Sequence, residues 1–215
     1  MPVDLILVPT PLERNHLEAS LSDTSQLTIR CCGFGVVASG IMAQHWLAEL
    51  RPRRVILVGV AGSYSDDITT GTAATFTDVN LEGVGVQQGD TVIPPEQIGF
   101  PQFQGEVNGS SFAIRDTLSL APAWEPQSQA GLLTVCAASD ALDIADARSN
   151  QYGGVIAEDM ESYSVAVACL LHQLPLTVIR GISNRAGIRD KATWQIKSAM
   201  HAAAQALQTW LETER

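Results

Sequence analysis

Basic residues are scarce in this 215-residue chain: 13 Lys and Arg stand against 23 Asp and Glu, a formal charge of −10. Neutralising phosphates takes a clustered cationic face, so nucleic acid is not an expected partner. Long apolar runs are also missing, and none approaches the ~20 residues of a membrane-spanning helix. No basic segment precedes the apolar start MPVDLILVPT, so no signal peptide is expected and the cytoplasm is the expected location. Cysteines are few: Cys31, Cys32, Cys136 and Cys169 form no CxxC pair and read as reduced core thiols. His16, His45, His172 and His201 lie far apart without a HExxH-type spacing, so no metal is expected.

What is present is a core. A hydrophobic share of 46% with 17% charged residues fits one globular α/β domain over residues 1–215. Strand-like runs alternate with helical spacing: strands at 3–8, 27–32, 55–63, 73–79, 132–138, 154–157 and 176–182, helices at 11–21, 33–50, 140–151, 160–173 and 190–212. Residues 82–111 turn to Gly, Gln and Pro without periodicity and read as a long loop, either functional or an oligomer contact. Short continuous apolar strands between helices imply a largely parallel α/β sheet covered on both faces. In such sheets ligands bind beyond the carboxyl ends of the strands. The segments PTPLER, GFG, GVAGS, SDAL, AEDMES and GISNRAG therefore share one rim.

Taken singly, these segments are ambiguous. Glu158, Asp159 and Glu161 in AEDMES have the composition of helix-capping acids, and Glu13 that of an acid at a helix start. GVAGS suits a tight turn as well as a close backbone approach to a ligand, and Asn184 could cap the turn after its strand.

Taken in order, GFGVVASG, GVAGS, DMES and RGISN resemble the nucleoside phosphorylase and nucleosidase superfamily, and RGISNRAGIRDKATW is similar to the signature of its futalosine hydrolases. The resemblance implies a nucleoside phosphorylase-like fold, a three-layer α/β/α sandwich around a mixed, largely parallel sheet, usually in a homo-oligomer and with no cofactor. The activity implied is hydrolysis of the N-glycosidic bond of futalosine, which releases hypoxanthine in menaquinone biosynthesis. A 5′-methylthioadenosine/S-adenosylhomocysteine nucleosidase, a purine nucleoside phosphorylase and a non-catalytic nucleoside-binding protein are the alternatives.

By the same resemblance Glu13 activates the attacking water, Met160 packs on the ribose and Glu161 binds its hydroxyls. Ala61, Gly62, Ser183 and Leu142 join the substrate-binding set, Leu142 standing where adenine nucleosidases often carry an aromatic. Arg189 or Arg185, just past the site strand of an acidic protein, is the candidate partner of the substrate's carboxylate tail. Adenine nucleosidases of the superfamily carry Asp at the position of Asn184, where a carboxyl can protonate purine nitrogen 7. An amide can only donate hydrogen bonds, which favours a base that leaves carrying charge, such as a 6-oxopurine. Asn also binds adenine bidentately, so the amide argues against acid catalysis more firmly than against adenine itself. A phosphorylase needs Arg converging beside the sugar, and only Arg14 lies near the first rim segment, so water is the expected nucleophile.

Overall fold

The computed structural model describes residues 3–25, 27–89, 91–107, 109–124 and 130–213. Strand β1 (Asp4–Val8), helix α1 (Pro11–Ser20), β2 (Thr28–Cys31), α2 (Gly35–Leu50) and β3 (Arg54–Ser63) form the first half. Six strands follow, β4 (Ala73–Thr75), β5 (Asp78–Glu82), β6 (Val86–Gln88), β7 (Thr91–Ile93), β8 (Phe103–Val107) and β9 (Ser110–Ile114). The remainder is β10 (Thr117–Ser119), β11 (Gly131–Val135), α3 (Leu142–Gln151), β12 (Val155–Asp159), α4 (Ser162–Leu171), β13 (Leu176–Arg185) and α5 (Ile196–Thr213).

Nine strands make one mixed, largely parallel sheet in the order β10-β5-β11-β12-β3-β1-β2, with β13 pairing to β3 and β4. Alternation along β1 shows why both faces must be covered. Leu5 and Leu7 enter the core cluster that includes Ala43 and Leu47 of α2 and Val165 of α4, while Ile6 and Val8 enter the one that includes Leu17 of α1 and Met200 of α5. These four of the five β1 side chains are fully buried. Each removes roughly 1.5–3 kcal/mol worth of apolar surface from water. Helix α5 comes so close to β13 that a Cβ at Gly181 would lie 2.1 Å from the Ala199 carbonyl oxygen, a separation only glycine permits.

Several boundaries differ from the sequence reading. The run 73–79 is two strands, because the chain leaves its pairing with β13 at Thr75 and joins β11 from Asp78 onward. Residues 82–111 are not a structureless loop: β6 pairs with β7, and β8 with β9, as antiparallel hairpins. Strand β12 continues to Asp159, whose carboxylate accepts the Ser162 N–H at 3.1 Å and so delays α4 to Ser162. The last helix starts at Ile196, because Asp190 caps a single 3₁₀ turn at Lys191–Thr193 first. Cys136 is exposed at the end of β11 and Cys31 is half-buried, whereas Cys32 and Cys169 are buried thiols. Among the described residues no helix is long and apolar enough to cross a membrane.

Candidate active site

The rim segments meet around one cavity of about 540 Å³, within the usual range for a small-molecule site. Its wall includes Glu13, Ala61, Gly62, Met160, Glu161, Ser183, Asn184 and Arg189. Leu142 is not in that wall. The chain is extended at Ala141, and Leu142 opens α3 about half exposed.

Glu13 is both a helix cap and a cavity residue. Thr10 and Glu13 form a capping box at the start of α1, with Thr10 N–H donating to Glu13 Oε2 at 3.1 Å. The other oxygen, Oε1, accepts the Val60 N–H of β3 at 3.0 Å, which ties the acid to the sheet and buries it.

Glu161 does not cap its own helix. It occupies the N-cap position of α4 without a side-chain cap bond, and its Oε1 accepts the Gly35 N–H, the first of α2, at 3.1 Å. Burial pushes its carboxyl up to about 7, against the pull of Arg180 and with the push of Asp159.

Arg180 is the residue that the sequence reading left out. It is fully buried in the middle of β13, where its Nη2 donates to Asp159 and Ser162 and lies 3.4 Å from Glu161 Oε2. Nε and Nη1 have no hydrogen-bond partner among the described residues. A Cβ on Gly59 would lie 2.1 Å from Arg180 Nη1 and 2.9 Å from Glu13 Oε1, so the bare backbone of β3 is what lets the guanidinium approach Glu13. The signal was a lone charge inside VIRGIS, an apolar strand. Thr10, Phe34, Ser139 and Asp140 also line the cavity and were not singled out.

Asn184 reaches the cavity through a β-bulge. Ile182 pairs with Ala61 and Asn184 with Gly62, so Ser183 is the extra residue. Ser183 Oγ donates to Asn184 Oδ1 at 2.7 Å, and Asn184 Nδ2 donates to the Arg185 carbonyl at 2.9 Å. One amide hydrogen remains for a ligand. Past the bulge, Arg189 stacks over Trp194 at 5.2 Å, and Lys191 lines the cavity beside them. Arg185 points elsewhere, to the Ser63 carbonyl and Asp146. Arg14 pairs with Glu18 along α1, away from the cavity wall. No cluster of three or more metal-ligating side chains occurs among the described residues.

The sequence model of the phosphorylase superfamily matches residues 11–213. The chain belongs to the phosphorylase superfamily. Within it, the chain is 28% identical over 224 residues to a futalosine hydrolase of Thermus thermophilus, covering 98% of this chain and 96% of that one. It is 26% identical to a 5′-methylthioadenosine/S-adenosylhomocysteine nucleosidase of Colwellia psychrerythraea over 80% of this chain and 72% of that one. The superfamily fold is seen in the structure of futalosine hydrolase from Helicobacter pylori, with a TM-score of 0.76 at 13% identity over 99% of this chain and 98% of that one.

Proposed function

We propose that this chain is a futalosine hydrolase, which adds water across the N-glycosidic bond and releases hypoxanthine as part of menaquinone biosynthesis. The observation that carries the reading is the arrangement of Glu13, Glu161 and Asn184 around one cavity, two acids and a neutral amide. Cleavage of a ribosyl–purine bond builds positive charge on the sugar and negative charge on the base, so the two ends need different partners. At the sugar end Glu13 takes a proton from water while Glu161 accepts the ribose hydroxyls and Met160 packs on the ring. A positioned base of this kind contributes roughly 10²–10⁴-fold. At the base end the free N–H of Asn184 donates to the departing purine.

Water is the nucleophile in this reading because the two guanidinium groups of Arg14 and Arg180, the ones near Glu13 among the described residues, are already paired with acids. Val60 and Phe34 form the adjoining wall, Arg14 is engaged with Glu18, and the charge of Arg180 is matched by Asp159 and Glu161. Arg189, Lys191 and Trp194 suit an aromatic carboxylate at the far end. The Colwellia relative favours a second reading, a methylthioadenosine nucleosidase.

The protein is further proposed to act in the cytoplasm as a homo-oligomer. Phe34, Val37 and Ile41 form an exposed apolar stripe at the start of α2, with Phe34 also on the cavity wall.

The deciding experiment incubates the protein with futalosine, inosine or methylthioadenosine, with and without phosphate, and follows free base. Hypoxanthine from futalosine without phosphate is the expected result. Adenine from methylthioadenosine alone would move the chain to the second reading, and release that requires phosphate would make it a phosphorylase.

A further inference from the structure

Glu13 is held by one contact more than helix capping asks for. A capping box consists of two: the Glu13 N–H donates to the Thr10 hydroxyl oxygen at 3.3 Å, and the Thr10 N–H donates to Glu13 Oε2 at 3.1 Å. The third contact runs from the Thr10 hydroxyl to the same Oε2 at 2.5 Å. Its direction is fixed, because a carboxylate only accepts and a backbone N–H only donates, so the hydroxyl receives from the N–H and gives its hydrogen to the carboxylate. This bond satisfies no backbone group of α1. Its effect falls on the carboxylate alone.

Each carboxylate oxygen has two acceptor positions. On Oε2 both are taken by Thr10, and on Oε1 one is taken by the Val60 N–H at 3.0 Å. One position is left, on Oε1. That oxygen lies against the bare backbone of β3, where a Cβ on Gly59 would stand 2.9 Å from it. Thr10 and Glu13 share the cavity wall, so the hydroxyl sits beside the acid that activates water in the proposed scheme.

We propose that Thr10 is a positioning residue for the hydrolysis: its hydroxyl fills Oε2 and leaves Oε1 as the one oxygen of Glu13 that takes the proton of the attacking water. This rests on the reading of Glu13 as the general base. The last torsion of a glutamate is broad and nearly two-fold, so a carboxylate without such a tie presents either oxygen in many orientations. A base works only with its receiving lone pair in reach of the proton, and small misplacements cost much of the rate. In the step itself the water proton passes to Oε1, the water oxygen bonds to the sugar carbon, and the electron pair of the glycosidic bond leaves with the purine. The Thr10 hydroxyl neither gains nor loses a proton. It acts through Glu13.

The test measures kcat, KM and thermal melts of Thr10→Ser, Thr10→Val and Thr10→Gly in the full chain, on futalosine, or on methylthioadenosine should that be the nucleoside the unaltered chain cleaves. Val and Gly are expected to lower kcat by roughly 10–100-fold with KM within about 2-fold, while Ser, which keeps the hydroxyl, stays within about 3-fold of the unaltered chain. Glycine is a good N-cap and valine a poor one. The Gly variant should therefore melt nearer the unaltered chain, and a kcat loss common to both does not come from capping. Added to Glu13→Gln, Thr10→Val should lower kcat by less than about 3-fold, because no base is left to position. Unchanged kcat in Thr10→Gly, an equal loss in Thr10→Ser, or the full loss repeated on Glu13→Gln overturns the assignment of Thr10 and leaves Glu13 standing as the base. An unaltered chain that releases no base without phosphate overturns both. Should Thr10→Val fail to fold, the Gly and Ser variants decide.

Discussion

Glu161 accepts the first backbone N–H of α2, from Gly35, and so spends its charge on a neighbouring helix rather than on its own. Burial raises its pKa from an ordinary 4.5 to about 7. Between those values the folded protein holds a proton that the unfolded chain has lost, so stability falls as pH rises through this window. The total is about 3 kcal/mol. In the proposed scheme ionised Glu161 accepts the sugar hydroxyls, so kcat/KM should climb to a plateau above pH 7 as stability declines. Glu161→Gln should flatten both profiles and lower kcat/KM by about 100-fold or more. A wild-type activity that falls across the same interval would contradict the role given to this acid.

Glu13→Gln separates catalysis from capping. Gln also serves in a capping box, so the helix should persist, with Tm lowered by roughly 2–4 °C for one imperfect hydrogen bond. Hydrolysis should drop by roughly 10²–10⁴-fold. Equal losses in a circular-dichroism melt and in turnover would mean that Glu13 is structural only.

Gly59→Ala tests the closeness of strand and guanidinium. The added methyl would stand 2.1 Å from Arg180 Nη1 and must displace it, and Glu13 with it. Expected are a stability loss of about 3 kcal/mol, read by denaturant titration, and no measurable hydrolysis. Wild-type activity in this variant would show that the approach is not needed.

Arg189→Ala should raise KM for futalosine about 10-fold, the loss of one charge-assisted contact, with kcat nearly unchanged. The KM for inosine, which has no carboxylate, should not move. An unchanged futalosine KM removes Arg189 from the tail site.

Val37→Asp with Ile41→Asp places charge on the exposed stripe of α2. Sedimentation should register a shift to monomer relative to the unaltered chain. A wild-type chain that already sediments as a monomer would refute the proposed assembly.

Much of the fold is legible in the sequence because β1, β3 and β13 are runs of Leu, Ile and Val whose neighbours on both faces are also apolar. The hairpins within 82–111 are not legible, since three-residue strands such as β6 and β7 are too short to show a period. The rim acids carry composition but no address. Nothing local says that Glu161 would serve α2, a helix 126 residues away, instead of α4. Arg180 is the clearest omission: its worth depends on Asp159, Glu161 and a bare Gly59, and only the fold assembles these. Leu142 is a different case: the resemblance supplied a position, and the side chain that opens α3 there is about half exposed.

Arg180 also acts as a check on assembly. Facing alternates at every residue, so a slip of β13 by one position against β3 would turn the guanidinium to the other side of the sheet, among the aliphatic side chains between α1 and α5. There it would meet neither Asp159 nor Glu161, and a lone cation in hydrocarbon is heavily penalised. The charges gathered for chemistry thereby reject misaligned chains before any substrate arrives.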